Sequence, residues 1–438
     1  MLRSMWSGVS GLKTHQVEMD VIGNNIANVN TTGYKSKAMT FRDTLYQTMT
    51  NATAATDTKG AISAKQIGLG TQTGSIKTNI MNQGSTMTTN RTLDLMINGD
   101  SFFVVQQNIT DNTSRAFTRD GNFDIDEAGS LVTAANGYYV LGWTGTAVGG
   151  APGRLDIVTD ATKTLGGAAT TAATFSGNID KDDPLLASED GKVLMLELYD
   201  AAGDTYTVKY RLNNAGDSDD TTYNLGITAV LDSNGNSLDI SAASLDVDLT
   251  YDPADGTLVS GATSAQTLTF TVPATDDEAE KTVTLNFTAD FSRTTNYYSK
   301  GSSTIRTAKG DIEGENKGYP EGTLNGYSIG NDGSIYLDYS NGQTRQLGTI
   351  ATSIFNNAGG LASIGDNLFQ TTLNSGDPIY QRVDEDGGYI SSGTLEMSSV
   401  DLAMEFTNMI TTQRGFQANS KVITTSDEML QILKGLKR

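Results

Sequence analysis

Cysteine is absent from the 438-residue chain. Disulfides, zinc–thiolate centres and thiolate nucleophiles are therefore excluded. There is one histidine, His15. A multi-histidine metal site is excluded with it, and a Ser-His-Asp triad would have to use that one ring. Proline is scarce, at 6 residues, and aromatics make up 7%. No run of about 18 apolar residues occurs, so no membrane span is expected. Residues 1–30 lack the continuous apolar stretch of a secretory signal, so on signals alone the chain reads as cytosolic, a reading that fails if export is signal-peptide-independent. Basic residues are in deficit, 30 Lys and Arg against 51 Asp and Glu, for a net charge of −21. An acidic chain repels phosphate backbones, so nucleic acid is not an expected partner. The surplus instead suits a soluble, mutually repelling surface.

Glycine is abundant, at 47 residues, alongside many Thr, Ser, Asn and Asp. That mixture suits a β-rich protein with many tight turns. The length suggests two to four domains at roughly 100–200 residues each.

The two ends differ in kind from the middle. Leu2, Met5, Val9, Leu12, Met19 and Ile26 fall on 3/4 spacings of one heptad frame. This predicts an amphipathic helix with a narrow, coiled-coil-like stripe, ending near Asn28 where Asn-Val-Asn-Thr-Thr-Gly33 supplies turn chemistry. Phe406, Met409, Phe416, Ile423 and Leu430 share a second frame, and Val422, Met429, Leu433 and Leu436 form an offset stripe. A long helix from about Asp401 to Leu436 is predicted, and its two stripes imply two partners. These stripes are the candidate subunit-packing residues.

Between the ends the period changes to two. Leu268, Phe270 and Val272 alternate with threonines, as do Val283, Leu285 and Phe287, which predicts a hairpin turning between Pro273 and Glu280. Val193 to Leu212 predicts another, turning near Asp200-Ala-Ala-Gly203. Strands also fit Leu95 to Val105, Phe117 to Ile125 and Ser334 to Tyr339. Residues 47–92 read as an extended connector, and the Gly-, Ala- and Thr-rich stretch 144–175 reads as a linker.

No motif carries convincing chemistry. Gly68-Leu-Gly70-Thr-Gln-Thr-Gly74 has the wrong spacing for a dinucleotide loop. Asp232-Ser-Asn234-Gly-Asn236 and Asp384-Glu-Asp386-Gly-Gly388 have Ala243 and Leu395 where a calcium loop needs its twelfth-position glutamate. Hairpin turns are expected there. His15 is expected to be solvated or interfacial. No catalytic, cofactor-binding or metal-ligating residue is assigned, and no cofactor is expected.

Three long motifs remain. Ser7-Gly-Val-Ser-Gly-Leu12 is followed by Met19-Asp-Val-Ile-Gly-Asn24-Asn25-Ile-Ala-Asn28 and Val29-Asn-Thr-Thr-Gly33-Tyr-Lys35. Phe406 to Ser420 contains Gln413-Arg414-Gly415. Leu95 to Val105 with Phe117 to Phe123 forms the third. Together they resemble the signatures of the flagellar rod and hook protein family, over roughly residues 1–145 and 300–438. The resemblance implies a mainly β fold with long terminal α-helices, its discontinuous β domains nested between an N- and C-terminal coiled-coil-like helix pair. It implies a helical polymerisation domain at 1–30 and 401–438, and an extended connector at 31–90 and 391–400. An inner β domain would span 91–145 and 300–390, with an outer inserted β domain at 146–299. Asn24, Asn25, Asn28, Gly33, Gln413, Arg414 and Gly415 are the family-motif positions. The resemblance also implies a non-enzymatic structural subunit that forms a homo-polymer and leaves the cell by flagellar type III export. The β-patterned insert favours a hook subunit, which would form a curved flexible tube carrying torque from rod to filament. Its partners would be the distal rod, the hook cap and the hook–filament junction proteins. A rigid distal rod subunit is the alternative, because Asn51 to Thr73 lengthens the connector.

Overall fold

The structure, a computed structural model, describes residues 2–55, 59–108, 114–147, 149–216, 221–243, 246–273 and 280–435. Two long helices, Leu2–Ala27 and Leu402–Gly435, bracket a chain that is otherwise mostly strand. The first helix stops where Asn28 turns its side chain back: Asn28 Nδ2 donates to Asn24 O at 2.9 Å. Gly33 then takes a φ of +65°, which a β-carbon disfavours. The second helix starts on Asp401, whose Oδ1 accepts from the N–H groups of Ala403 (2.9 Å) and Met404 (3.2 Å). That is an N-cap satisfying donors the first turn leaves free.

The chain forms two compact units. The first comprises Met1–Thr159, Tyr327–Leu337 and Arg345–Arg438; the second comprises Asp160–Gly326 and Asp338–Thr344. In the first unit, strand Phe102–Gln106 pairs antiparallel with Arg115–Thr118, Tyr139–Thr144 and Thr352–Ile354. Phe102, Val104, Phe117, Leu141, Trp143 and Phe369 pack beneath it. The Phe355 ring meets those of Phe102 and Phe117 edge-on, at 5.8 and 4.8 Å.

Two predicted strands are each broken in two. Leu95 to Val105 becomes Leu95–Asn98 and Phe102–Gln106, and Phe117 to Ile125 becomes Arg115–Thr118 and Phe123–Ile125. The breaks fall on Asn98-Gly-Asp and Asp120-Gly-Asn, strong turn sequences that outweigh the apolar run around them. Leu95–Asn98 turns away at Gly99 to pair with Tyr389–Ser392.

Residues 47–92, read as an extended connector, are extended but paired. Lys37–Asp43 pairs with Thr71–Thr78, and Tyr46–Thr50 with Lys65–Gly68. The result is an antiparallel ribbon whose side chains are mostly exposed. Residues 144–175 are not a plain linker. Gly153–Arg154 pairs with Tyr139–Thr144, and Leu155 and Ile157 are fully buried. The low apolar content hid the second feature, because two well-placed anchors, Leu155 and Ile157, suffice to dock a strand.

In the second unit the strand order is Lys192–Tyr199, Thr205–Asn214, Thr222–Leu231, Ser237–Ala243, Thr263–Val272, Lys281–Thr295, Ala172–Asn178, Arg306–Lys309. Thr307 Oγ1 donates to Met195 O, and Lys309 Nζ to Glu197 Oε1, so side chains join the last strand to the first. Both predicted hairpins are present, with Leu196 opposite Val208 and Leu268 opposite Leu285. The first turns at Asp200–Asp204, with Gly203 at φ +92°. The turn of the second, residues 274–279, lies outside the described residues. Tyr206, Val208, Tyr210, Leu212, Phe270 and Phe287 all point into one core. Residues 300–326, read from the sequence with the inner domain, contribute that sheet's last strand, Arg306–Lys309. The Asp232 segment makes the expected hairpin turn, whereas Asp384-Glu-Asp386 lies in a 3-10 turn, Val383–Asp386.

Candidate functional site

The terminal helices run antiparallel and touch along a seam of small and polar residues. Ser4 Oγ lies 3.3 Å from Ser426 Oγ. A β-carbon on Gly8 would lie 3.1 Å from Ile423 Cγ1, and one on Gly11 would lie 2.6 Å from Asn419 Nδ2. One on Gly415 would lie 2.7 Å from His15 Nε2. Asn25 Nδ2 donates to Glu405 Oε1 at 2.8 Å. Positions 4, 8, 11, 15 and 25 thus meet 426, 423, 419, 415 and 405 in order. Missing side chains at Gly8, Gly11 and Gly415 let the two backbones approach closely.

This seam is displaced by one residue from the predicted stripe. Met5, Val9, Leu12, Met19 and Ile26 each follow a seam-frame position and are only partly covered; the side chain of Leu2 lies outside the described residues. On the C-terminal helix Ile423 enters the seam, Met409, Phe416 and Leu430 are partly covered, and Phe406 is 50% exposed. Of the offset stripe, Val422, Met429 and Leu433 are exposed, and Leu436 lies outside the described residues. Trp6, Met404, Ile410 and Ile432 are exposed as well. The helix pair therefore closes on its glycines, with the predicted stripe of the first helix partly covered and several large apolar side chains of the second exposed.

The motif positions divide by role. Asn25 is buried and bridges three segments, because its Oδ1 accepts from Lys37 N–H at 2.9 Å while Nδ2 serves Lys37 O and Glu405. Burial pushes the Glu405 carboxyl above its ordinary range, against the pull of the Asn25 hydrogen bond. Asn24 Oδ1 accepts from the Tyr34 hydroxyl at 2.7 Å. Gly33 lies so close to Asp120 that a β-carbon would fall 2.8 Å from its nitrogen. Gln413 and Arg414 are exposed, and Gly415 lies under His15. His15 Nδ1 lies 3.2 Å from Glu18 Oε2, and its ring centroid is 5.4 Å from that of Phe41.

Sequence reasoning missed one feature beside this seam. Lys35 Nζ and Glu396 Oε1 lie 2.6 Å apart, with both side chains 1% exposed. Arg119 Nη1 lies 3.9 Å from Glu396 Oε2 and is equally buried. Burial drives the Lys35 amine down, opposed by Glu396, and lowers the Arg119 guanidinium too. Lys35 closes the N-terminal motif and Arg119 lies in the third, but nothing in spacing pairs them with Glu396.

Residues 5–35 match the family model described as Flagella basal body rod protein. Residues 96–175 match Flagellar hook protein FlgE/F/G D1 domain, and residues 391–436 match Flagellar basal body rod FlgEFG protein C-terminal. The chain is 36% identical to the flagellar hook protein FlgE of Borreliella burgdorferi, with 100% of each chain covered. The chain belongs to the flagellar hook and rod protein family. It is 30% identical to the flagellar basal-body rod protein FlgG of Bacillus subtilis, again with 100% of each covered. The FlgE of Treponema pallidum is 32% identical over the full length of both. Against the crystal structure of Helicobacter pylori flagellar hook protein FlgE2 the TM-score is 0.48 at 16% identity, covering 71% of this chain and 100% of that one. The two hook proteins named here, at 36% and 32%, exceed the rod protein at 30%, and the role of this subunit is structural, in the flagellar hook. No helix among the described residues is long and apolar enough to cross a membrane.

Proposed function

We propose that the hook subunit polymerises through the apolar stripes its own helix seam leaves only partly covered. The observation that carries this reading is the one-residue displacement of seam from stripe. Met5, Val9, Leu12, Met19, Ile26, Phe406, Met409, Phe416 and Leu430 then meet copies of the chain. Taking a large apolar side chain from exposed to buried contributes roughly 1.5–3 kcal/mol; these are already partly covered, so each adds a fraction of that, and several together make assembly cooperative. The product is a curved, flexible tube carrying torque, with the helix pair toward its channel. The second unit, rich in Thr and Asp, supplies hydrated contacts that rearrange at small cost. The distal rod, hook cap and hook–filament junction proteins are its flagellar partners, and type III export delivers it. Its work is mechanical and needs no catalytic residue.

Phe406→Asp tests the stripe. At a half-exposed position the change costs the monomer about 1 kcal/mol, too little to unfold it. Tubes should fail to form from a folded subunit, scored by electron microscopy. Normal tubes would refute the reading. Basal bodies from cells lacking the gene should show rods without hooks; missing or shortened distal rods would move the subunit to the rod.

A further inference from the structure

The buried Lys35–Glu396–Arg119 cluster sits where four separate segments meet. Glu396 Oε1 accepts from Lys35 Nζ at 2.6 Å and from the Gly84 N–H at 2.8 Å. Its backbone oxygen accepts from the Gly33 N–H at 2.8 Å. Lys35 Nζ also donates to Asn82 O at 2.8 Å. Arg119 is held from the sheet side, donating to Gly99 O at 2.7 Å and lying 4.8 Å from the centroid of the Phe102 ring. Glycines bring the backbones together around the cluster: a β-carbon on Gly84 would collide with Met397 O, and one on Gly33 with Asp120. Both leads out of the terminal helices, residues 28–36 and 394–401, are therefore tied at one point to the sheet carrying Phe102.

A buried ion pair is a poor way to gain stability, because desolvation offsets most of the attraction. What it does well is fix one arrangement, since a misplaced charge is left unpaired. The cluster is also incomplete. Glu396 Oε2 and Arg119 Nη1 are buried without a hydrogen bond, and their 3.9 Å separation exceeds hydrogen-bond length by about 1 Å. Closing that link takes a movement of about 1 Å, and Lys35 holds the other carboxylate oxygen.

We propose that Lys35, Glu396 and Arg119 form the joint between the terminal helices and the first β unit, firm at Lys35 and adjustable at Arg119. In a curved rotating tube every subunit passes through slightly different shapes, and this joint sets their range. The consequence for curvature rests on the polymerisation reading; the joint itself does not. All three are positioning residues.

Two forms of the full-length chain test it: Glu396→Gln, and the apolar triple variant Lys35→Met, Arg119→Met, Glu396→Leu. The second leaves no buried charge unpaired and carries the test if the first fails to fold. The triple variant strips buried partners from the Gly84 N–H, Asn82 O and Gly99 O, and Glu396→Gln strips the countercharge from Lys35, so amide exchange in the soluble subunit should accelerate roughly tenfold or more at residues 31–36, 82–85 and 393–400. Residues 102–106 and 348–351 should keep their wild-type rates. Tubes of either variant should differ in curvature from wild type. Unchanged exchange in those three segments would overturn the joint, as would acceleration spread equally through the sheet, which marks an ordinary stability element. Wild-type curvature from a loosened variant would overturn its role in shaping the tube. Failure of the wild-type chain to form tubes would count against polymerisation through the stripes, while exchange would still decide the joint.

Discussion

Replacing Gly415 with alanine sets two effects of known size against each other. In an isolated helix interior alanine is better than glycine by about 0.8–1 kcal/mol. Here the new β-carbon would lie 2.7 Å from His15 Nε2 and 2.8 Å from Cε1. Comfortable contacts begin near 3.5 Å, so the ring must withdraw by about 1 Å. It is not free to do so cheaply, with Glu18 on its other nitrogen and Phe41 beside it. Overpacking of this kind costs about 1–3 kcal/mol. Gly415→Ala should therefore be neutral to destabilising by about 2 kcal/mol. In a His15→Ala background the obstacle is gone, and the same change should stabilise by about 1 kcal/mol. Denaturant unfolding followed by the helical circular dichroism signal, on wild type, both single variants and the double, gives the coupling directly. It should reach about 1–3 kcal/mol. If Gly415→Ala stabilises equally in both backgrounds, His15 does not pack on Gly415 and the seam is misassigned.

Asp401→Ala should remove the cap of the C-terminal helix and cost about 1 kcal/mol, read from the same helical signal, with amide exchange rising first at residues 402–405. In the second unit, burial alone would push the Asp183 carboxyl up, but the N–H groups of Ser303 and Leu185 and the Lys192 ammonium outweigh it and hold it at about 2. A folded-state value below the unfolded one gives stability that is present above about pH 4 and lost as pH falls through about 2. Asp183 should thus contribute about 2 kcal/mol at neutral pH. Asp183→Asn should remove that share of the acid sensitivity, measured by exchange of residues 192–214 between pH 4 and 2.

The elements that were legible in the sequence are those whose periodicity reports one environment. Tyr206, Val208, Tyr210 and Leu212 alternate because one face of their strand meets a core, and every one is buried. The Asn28 stop and the Asp401 start were legible because side-chain chemistry near the helix ends acts locally. What stayed hidden depends on partners distant in sequence. Glu396 carries no sign that it will sit beside Lys35. The ribbon of 37–78 is held by backbone pairing between exposed strands, so its side chains follow no burial pattern. Gly99 and Gly121 broke two strands that apolar runs had joined, because the turn preference of Asn-Gly and Asp-Gly acts over two residues while the run is averaged over ten.

The helix stripes teach something different. A heptad of apolar residues says that a helix has a partner but not which one. In these helices the apolar frame 5, 9, 12, 19 and the contact frame 4, 8, 11, 15 lie one residue apart, about 100° around the helix. The contact frame contains Gly8, Gly11 and His15, residues that no hydrophobic periodicity would select. Had the apolar frame formed the contact within one chain, the subunit would have covered its own large side chains. Glycines do that job by close approach, and the larger residues stay partly exposed on an adjoining face. A subunit whose two ends must find each other and then find copies of the chain needs two distinguishable faces. A one-residue offset is the smallest change of sequence position that supplies them.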